Sequence, residues 1–381
     1  MSEAQDDGSH KGALAMADDM HILPPHFYTD AQHHATEIHG IFEKEWLLVG
    51  RGEQLRDVGD YLSLTIAEEP VVVVRSESRQ LVALSPVCRH RYMRMVAPGS
   101  GHVDGSFTCD YHLWRYRLDG RLSAAPFMDQ TPGFDRSTCR LPVFAVEEWQ
   151  GFVFVSLDGG SPPLAPRLAP VADKLRRYQL ADMRQVAFSD EVWRCNWKVA
   201  VENGSESYHH MGVHPELVEP KIPTRGTSAG LRGDAFTSHR TPVAQEDTRQ
   251  VSAARPDIGL TEEDLSEMNV FTIFPSTIIL NFQDLVAWFS FLPIGVDGCR
   301  LLNGFCFSSR LVEAGLIDND AMARFMCGVN KEDRAISELV QLGMKSTRAE
   351  PGMLSIKEVQ LADFFEYVRG AVSTSGPGKV T

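Results

Sequence analysis

The sequence predicts an α+β protein in two parts: a small all-β domain, then a larger domain in which helices flank an antiparallel sheet. Three observations carry that expectation. Short β-rich runs crowd residues 46 to 157, a Gly/Pro-rich stretch follows them, and beyond it strand-like and helical segments are segregated rather than alternating. A chain of 381 residues is long enough for two such domains, each with its own core.

Taken in order, residues 1–45 read as a polar arm and a short helix packing on the larger domain, punctuated by Pro24 and Pro25. Residues 46–157 form the β-domain. Its runs are Trp46 to Val49, Tyr61 to Ile66, Val71 to Arg75, Leu81 to Ser85, Ser106 to Cys109, Val143 to Val146 and Phe152 to Leu157, most of them separated by Gly, Pro, Asp or Ser turns. Gly159-Gly160-Ser161-Pro162-Pro163 is the linker candidate.

Residues 158–381 form the second domain. A helix is expected around Ala172 to Leu180, a strand near Val186 to Phe188, and a helix over Trp193 to His210, ended by Gly212 and Pro215. A polar loop over Lys221 to Ile258 precedes strands at Val270 to Ile273, Thr277 to Asn281, Val286 to Phe291 and Leu301 to Phe307. Helices at Asp318 to Leu342 and Ser355 to Val372 close the chain.

Composition excludes several classes of function. The longest apolar stretches, such as Leu285 to Pro293, are far shorter than the roughly twenty residues a membrane helix needs. The first twenty residues carry Asp6, Asp7, Asp18 and Asp19 and lack a secretion signal, so a cytoplasmic enzyme is expected. A net charge of −14 argues against nucleic acid as a partner, because phosphate binding needs a basic face. Seven cysteines, only two of them in a patterned context, do not suggest a disulfide framework.

Those two open the first metal constellation. Cys88-x-His90 is followed, after eighteen residues, by Cys109-x-x-His112, each pair just past a predicted strand. Such a set suits either a structural zinc or a 2Fe-2S cluster with thiolates on one iron and imidazoles on the other. Zinc fingers group cysteines with cysteines; mixed pairs favour the cluster.

The second constellation lies in NWKVAVENGSESYHHMGVHPE, from Asn196 to Glu216. A helical period brings Glu202, Glu206 and either His209 or His210 onto neighbouring turns, with His214 just beyond. Two histidines and one carboxylate on one face of ferrous iron leave positions open for dioxygen. Spacing alone favours His210 with His214, four residues apart. Glu202 and Glu206 are local candidates for the carboxylate, and the C-terminal helix adds Glu332 and Asp333, which flank an apolar face of Phe325, Val329, Ile336, Leu339 and Val340. Periodicity does not separate these two acids. Asn203 is either near the iron or a plain polar helix residue.

CRHR at 88 to 91 and CDYHLWRY at 109 to 116 resemble the cluster-binding stretches of Rieske-type non-heme iron oxygenases, and the resemblance extends over nearly the whole chain. It implies a catalytic alpha subunit with a Rieske β-domain and a helix-grip catalytic domain. One 2Fe-2S cluster would be held by Cys88, His90, Cys109 and His112. One mononuclear Fe(II) would be held by His209, His214 and Asp333, leaving His210 outside the set. Glu206 would link His209 to the cluster histidine His112 across a subunit boundary, in a ring of three. Glutamate there resembles the quaternary-amine and dealkylating branch. This chain departs from the family pattern at Tyr92 and Leu113, where small residues are usual, which bears on packing around the cluster.

The activity implied uses dioxygen and electrons from a ferredoxin or reductase, since the chain has no dinucleotide fingerprint of its own. Hydroxylation or oxidative dealkylation of a small aromatic or otherwise apolar substrate is expected. Phe271, Phe274, Ile279, Phe282, Trp288, Phe289 and Phe291 are candidates for its pocket. The alternatives are a cis-dihydroxylating arene dioxygenase and, in another class, a Rieske electron-transfer protein or metal-stabilised binding module.

Overall fold

The computed structural model describes residues 20–244 and 258–373. Ten strands fall in the first part: β1 (Leu47–Arg51), β2 (Asp60–Ile66), β3 (Glu69–Arg75), β4 (Leu81–Leu84), β5 (Gly99–His102), β6 (Ser106–Thr108), β7 (Arg115–Arg117), β8 (Leu122–Ala124), β9 (Val143–Trp149) and β10 (Phe152–Ser156). Seven of them pair antiparallel in the order β1-β10-β9-β4-β3-β2-β5, and β6-β7-β8 form a separate small sheet. The four consecutive valines of β3 show how this sheet is buried. Side chains alternate across a strand, so Val71 and Val73 enter one core while Val72 and Val74 enter another that also holds Cys88, Cys109 and Trp114. Strands β5, β7 and β8 were not expected from the sequence, because GSGH, RYR and LSA lack an apolar alternation; their neighbours supply the pairing.

The second part is built on β11 (Arg184–Trp193), β12 (Ser228–Gly233), β13 (Phe236–Pro242), β14 (Glu267–Ile273), β15 (Thr277–Phe282), β16 (Leu285–Pro293) and β17 (Cys299–Phe307). They pair antiparallel in the order β11-β17-β16-β15-β14-β13-β12. Five helices matter here: α1 (Ala31–Glu37), α2 (Trp197–Gly204), α3 (His210–Val213), α4 (Asn319–Met344) and α5 (Gln360–Ser373). Two of the expected elements differ. The helix expected over Trp193 to His210 ends at Gly204 and restarts at His210, so the chain turns between them. The polar loop expected from Lys221 contains β12 and β13, while its residues 245–257 lie outside the described residues.

The two parts share one core, in which Leu47, Leu48 and Val73 join Trp197, Trp288 and Phe364. Arg51, itself buried, donates to the carbonyls of Leu180 (2.8 Å) and Met183 (3.2 Å) in the second part. The Gly/Pro stretch at 159–163 is tethered rather than free. Trp46 Nε1 donates to Pro162 O at 2.9 Å, and Asp158 N to Glu43 O at 2.9 Å, so entry to and exit from the β-part lie side by side.

Candidate metal centres

The two cluster loops are built alike. Cys88 N donates to Met93 O (2.9 Å) and Tyr92 N to Cys88 O (3.1 Å); Cys109 N donates to Trp114 O (2.8 Å) and Leu113 N to Cys109 O (2.9 Å). Each loop thus closes five residues after its cysteine and passes through a left-handed residue at the fourth, Tyr92 and Leu113, both at φ 58°. Glycine adopts that conformation without cost, which is the physical reason for a small residue there. The side chains are 87% and 62% exposed, so their bulk lies on the outer rim of the loops.

Four potential ligands converge between these loops. Cys88 and Cys109 are buried, and the His90 and His112 rings lie 4.5 Å apart, with His90 stacked on Trp114 at 4.9 Å. Nδ1 of His90 and Nδ1 of His112 are both buried without a hydrogen-bond partner. Orphaned buried nitrogens are costly unless something binds them, so this donor set fits an iron-sulfur cluster ligated through those atoms.

The second centre arises where α2 breaks. Asn196 caps α2, accepting from Lys198 N, and Ser205 to His209 form a turn that α3 leaves again. His209, His214 and Asp333, the last on α4, each offer a ligand atom within 4.8 Å of the others. Asp333 Oδ1 is 2.8 Å from His214 Nε2 and 3.5 Å from His209 Nε2. Both rings therefore turn the same nitrogen inward, and each has an acid behind it: His209 Nδ1 meets Glu206 Oε1 at 2.6 Å, and His214 Nδ1 meets Glu332 Oε2 at 2.6 Å. Carboxylates in that position orient an imidazole and make it a better ligand. Burial works against protonation of both histidines, yet the acids carry them above their usual range: Glu206 and Asp333 at His209, Asp333 and Glu332 at His214.

Spacing on a continuous helix pointed to His210, but the chain turns between Gly204 and His210 and brings His209 into the convergent set instead. His210 is buried, edge-on to His209 at 4.7 Å, and outside the convergent set. Burial, followed by the neighbouring histidines, pushes it well below its ordinary value, so it is neutral. Glu202 is also outside the set. It accepts from Tyr28 OH at 2.8 Å and is pushed up to about 8 by burial. The expected apolar face of α4 is corrected as well: Ile336, Leu339 and Val340 are exposed, whereas Met326, Asn330, Ser337 and Gln341 are buried. The buried polar residues are matched, Asn330 to Asn303 and Glu191, and Gln341 to Asn196 N.

A cavity of about 130 Å³ opens beside His209, His214 and Asp333. Of the expected pocket residues, Phe282, Phe289 and Phe291 line it; Phe271, Phe274, Ile279 and Trp288 belong to the core instead. Asn203 and Glu206 also reach it, and so do Trp193, Lys221, Phe305 and Phe325, which the sequence reading missed. No helix among the described residues is long and apolar enough to cross a membrane.

Comparison with known proteins agrees with this geometry. Residues 45–144 match the Rieske [2Fe-2S] domain, and residues 174–374 match the ring hydroxylating alpha subunit catalytic domain. The glycine betaine monooxygenase oxygenase subunit of Pseudomonas aeruginosa is 33% identical over 90% of this chain and 86% of its own length. That of Chromohalobacter salexigens is 29% identical over 91% and 85%. The biphenyl 2,3-dioxygenase alpha subunit of Rhodococcus jostii is 32% identical over 58% of this chain and 48% of its own. A solved quaternary ammonium Rieske monooxygenase has the same fold, with a TM-score of 0.82 at 24% identity over 93% of this chain and 97% of that one. The two domain matches imply a Rieske 2Fe-2S cluster and a mononuclear iron as the cofactors of this chain. A mixed thiolate and imidazole cradle, a separate two-histidine, one-carboxylate set, and matches across both domains place the chain in the Rieske non-heme iron oxygenase family, as a catalytic oxygenase subunit.

Proposed function

We propose that this protein is a terminal monooxygenase that oxidises a carbon attached to a quaternary or tertiary amine nitrogen, with Cys88, His90, Cys109 and His112 holding the cluster and His209, His214 and Asp333 the mononuclear iron. The observation that carries this reading is the wall of the cavity. Trp193, Phe282, Phe289, Phe291, Phe305 and Phe325 surround the space above the metal set. Aromatic faces bind quaternary ammonium groups, which no hydrogen-bond acceptor can satisfy. The glycine betaine relatives support the same substrate class and lend no support to the aromatic substrate expected from sequence.

When bound, the cluster supplies single electrons and the mononuclear iron is where dioxygen is reduced and one oxygen atom enters the substrate. The residues of the chain position and insulate. The apolar wall excludes water, Asp333 and the two histidines fix the metal at its edge, and Glu206 and Glu332 hold the rings in register. Glu206 also accepts from the backbone amides of Tyr208 and His209. No hydrogen bond joins it to His112 within one chain among the described residues, and its coupling role is proposed between subunits of a ring of three. Electrons come from a protein donor, which we propose to be a ferredoxin or its reductase. Asn203 lines the cavity, has no side-chain partner among the described residues and is proposed to contact substrate.

In sum one N-methyl group, dioxygen, two electrons and one proton give the demethylated amine, formaldehyde and water. Iron-loaded protein supplied with ferredoxin, reductase and NADH is expected to release formaldehyde and dimethylglycine in equal amounts from glycine betaine. A cis-diol from biphenyl, with no aldehyde from glycine betaine, would overturn this reading in favour of arene dihydroxylation.

A further inference from the structure

Most polar side chains in the cavity wall are already committed. Glu206 and Asp333 face histidines, Asn330 is bonded to Asn303 and Glu191, and Ser207 Oγ is 2.7 Å from His239 Nε2. Burial pushes His239 down to about 4, so that partner is a neutral anchor. Among the described residues, the Asn203 amide and the Lys221 ammonium in the lining have no hydrogen-bond partner, and the neutral His210 ring leaves its buried Nδ1 unpaired. Lys221 is exposed and therefore marks the solvent side of the wall. Its backbone is fixed: Val218 N and Glu219 N donate to His214 O, and Lys221 N to Val218 O at 3.0 Å, so the lysine follows His214 in one run of turns.

We infer that Lys221 selects a zwitterion, pairing with a substrate carboxylate at the cavity mouth while the ammonium end lies among the aromatic faces near the metal set. This rests on the amine reading of the site and narrows it. The two acids in the cavity wall are each spent on a histidine, so a plain cation would meet π faces, neutral polar groups and a repelling lysine, with no free negative charge. A betaine meets attraction at both ends. A neutral aromatic compound is indifferent to Lys221.

The test is calorimetric binding of glycine betaine, choline and toluene to anaerobic iron-loaded protein, wild type against Lys221→Met and Lys221→Glu. Wild type is expected to bind glycine betaine more tightly than choline. Lys221→Met should weaken glycine betaine about fivefold, the size of a partly solvated ion pair, and leave toluene unchanged. Lys221→Glu should reverse the preference towards choline. Equal glycine betaine affinity in wild type and Lys221→Met overturns the lysine's role while the amine reading stands. Binding of toluene alone by wild type overturns both.

Discussion

Replacing His214 by alanine is expected to strip the mononuclear iron and lower turnover by more than about a hundredfold, beyond what the loss of an outer carboxylate alone costs. The visible spectrum of the cluster should be unchanged. His214 turns Nε2 towards Asp333 and Nδ1 towards Glu332, so each acid has a separate job at one ring. Asp333→Ala should match His214→Ala, whereas Glu332→Ala should keep a weakened iron, down about tenfold to a hundredfold in affinity. Equilibrium dialysis of iron orders the three variants. A Glu332→Ala protein that loses iron more completely than Asp333→Ala would exchange the roles given to these two residues.

The second large effect concerns stability. Lys198 Nζ and Glu37 Oε1 lie 2.7 Å apart with both side chains fully buried, tying α1 to α2 just before the chain turns into the metal site. Trp197 Nε1 adds a bond to Glu37 Oε2 at 3.0 Å, and His33 approaches Oε1 at 3.2 Å. Removing one partner of such a pair strands a buried charge and costs about 3–5 kcal/mol. Glu37→Gln and Lys198→Met are each expected to fall in that range by denaturant unfolding. The double variant Glu37→Leu, Lys198→Met should recover most of the loss, since hydrophobic replacement of both removes the desolvation problem. Two additive single effects would show that no coupled pair exists. Burial would raise the Glu37 carboxyl, but Lys198 and the surrounding donors hold it below its usual range. Its contribution is therefore complete above the unfolded pKa and fades as pH falls through the folded one.

What the sequence made legible follows from how local each signal is. The residues proposed to hold the cluster could be picked out because each pair sits within one tight loop, where residue spacing is geometry. Strands such as β3 and β16 could be read from dense apolar runs, whereas β5 and β12 consist of Gly-rich, exposed residues that pair only because a neighbour is present. The residues proposed to hold the iron were harder to pick out. The break between Gly204 and His210 undoes the four-residue rule that favours His210, and nothing local announces it. Asp333 and Glu332 are adjacent and chemically alike, and only the direction of α4 against His214 divides them. The face of α4 was misread because its buried side is held by hydrogen bonds of Asn330 and Gln341 rather than by apolar contact. Lys221 lay in what looked like a featureless polar loop, and its place in the cavity wall depends on the fold alone.

The most direct test of the two-centre account is iron and acid-labile sulfide per chain, measured together in wild type, His214→Ala and Cys88→Ser. The cluster and the mononuclear site predict three irons and two sulfides in wild type, two and two in His214→Ala, and one and none in Cys88→Ser. Loss of sulfide from His214→Ala, or a wild type holding zinc without sulfide, would contradict the assignment of these residues to two separate metal centres.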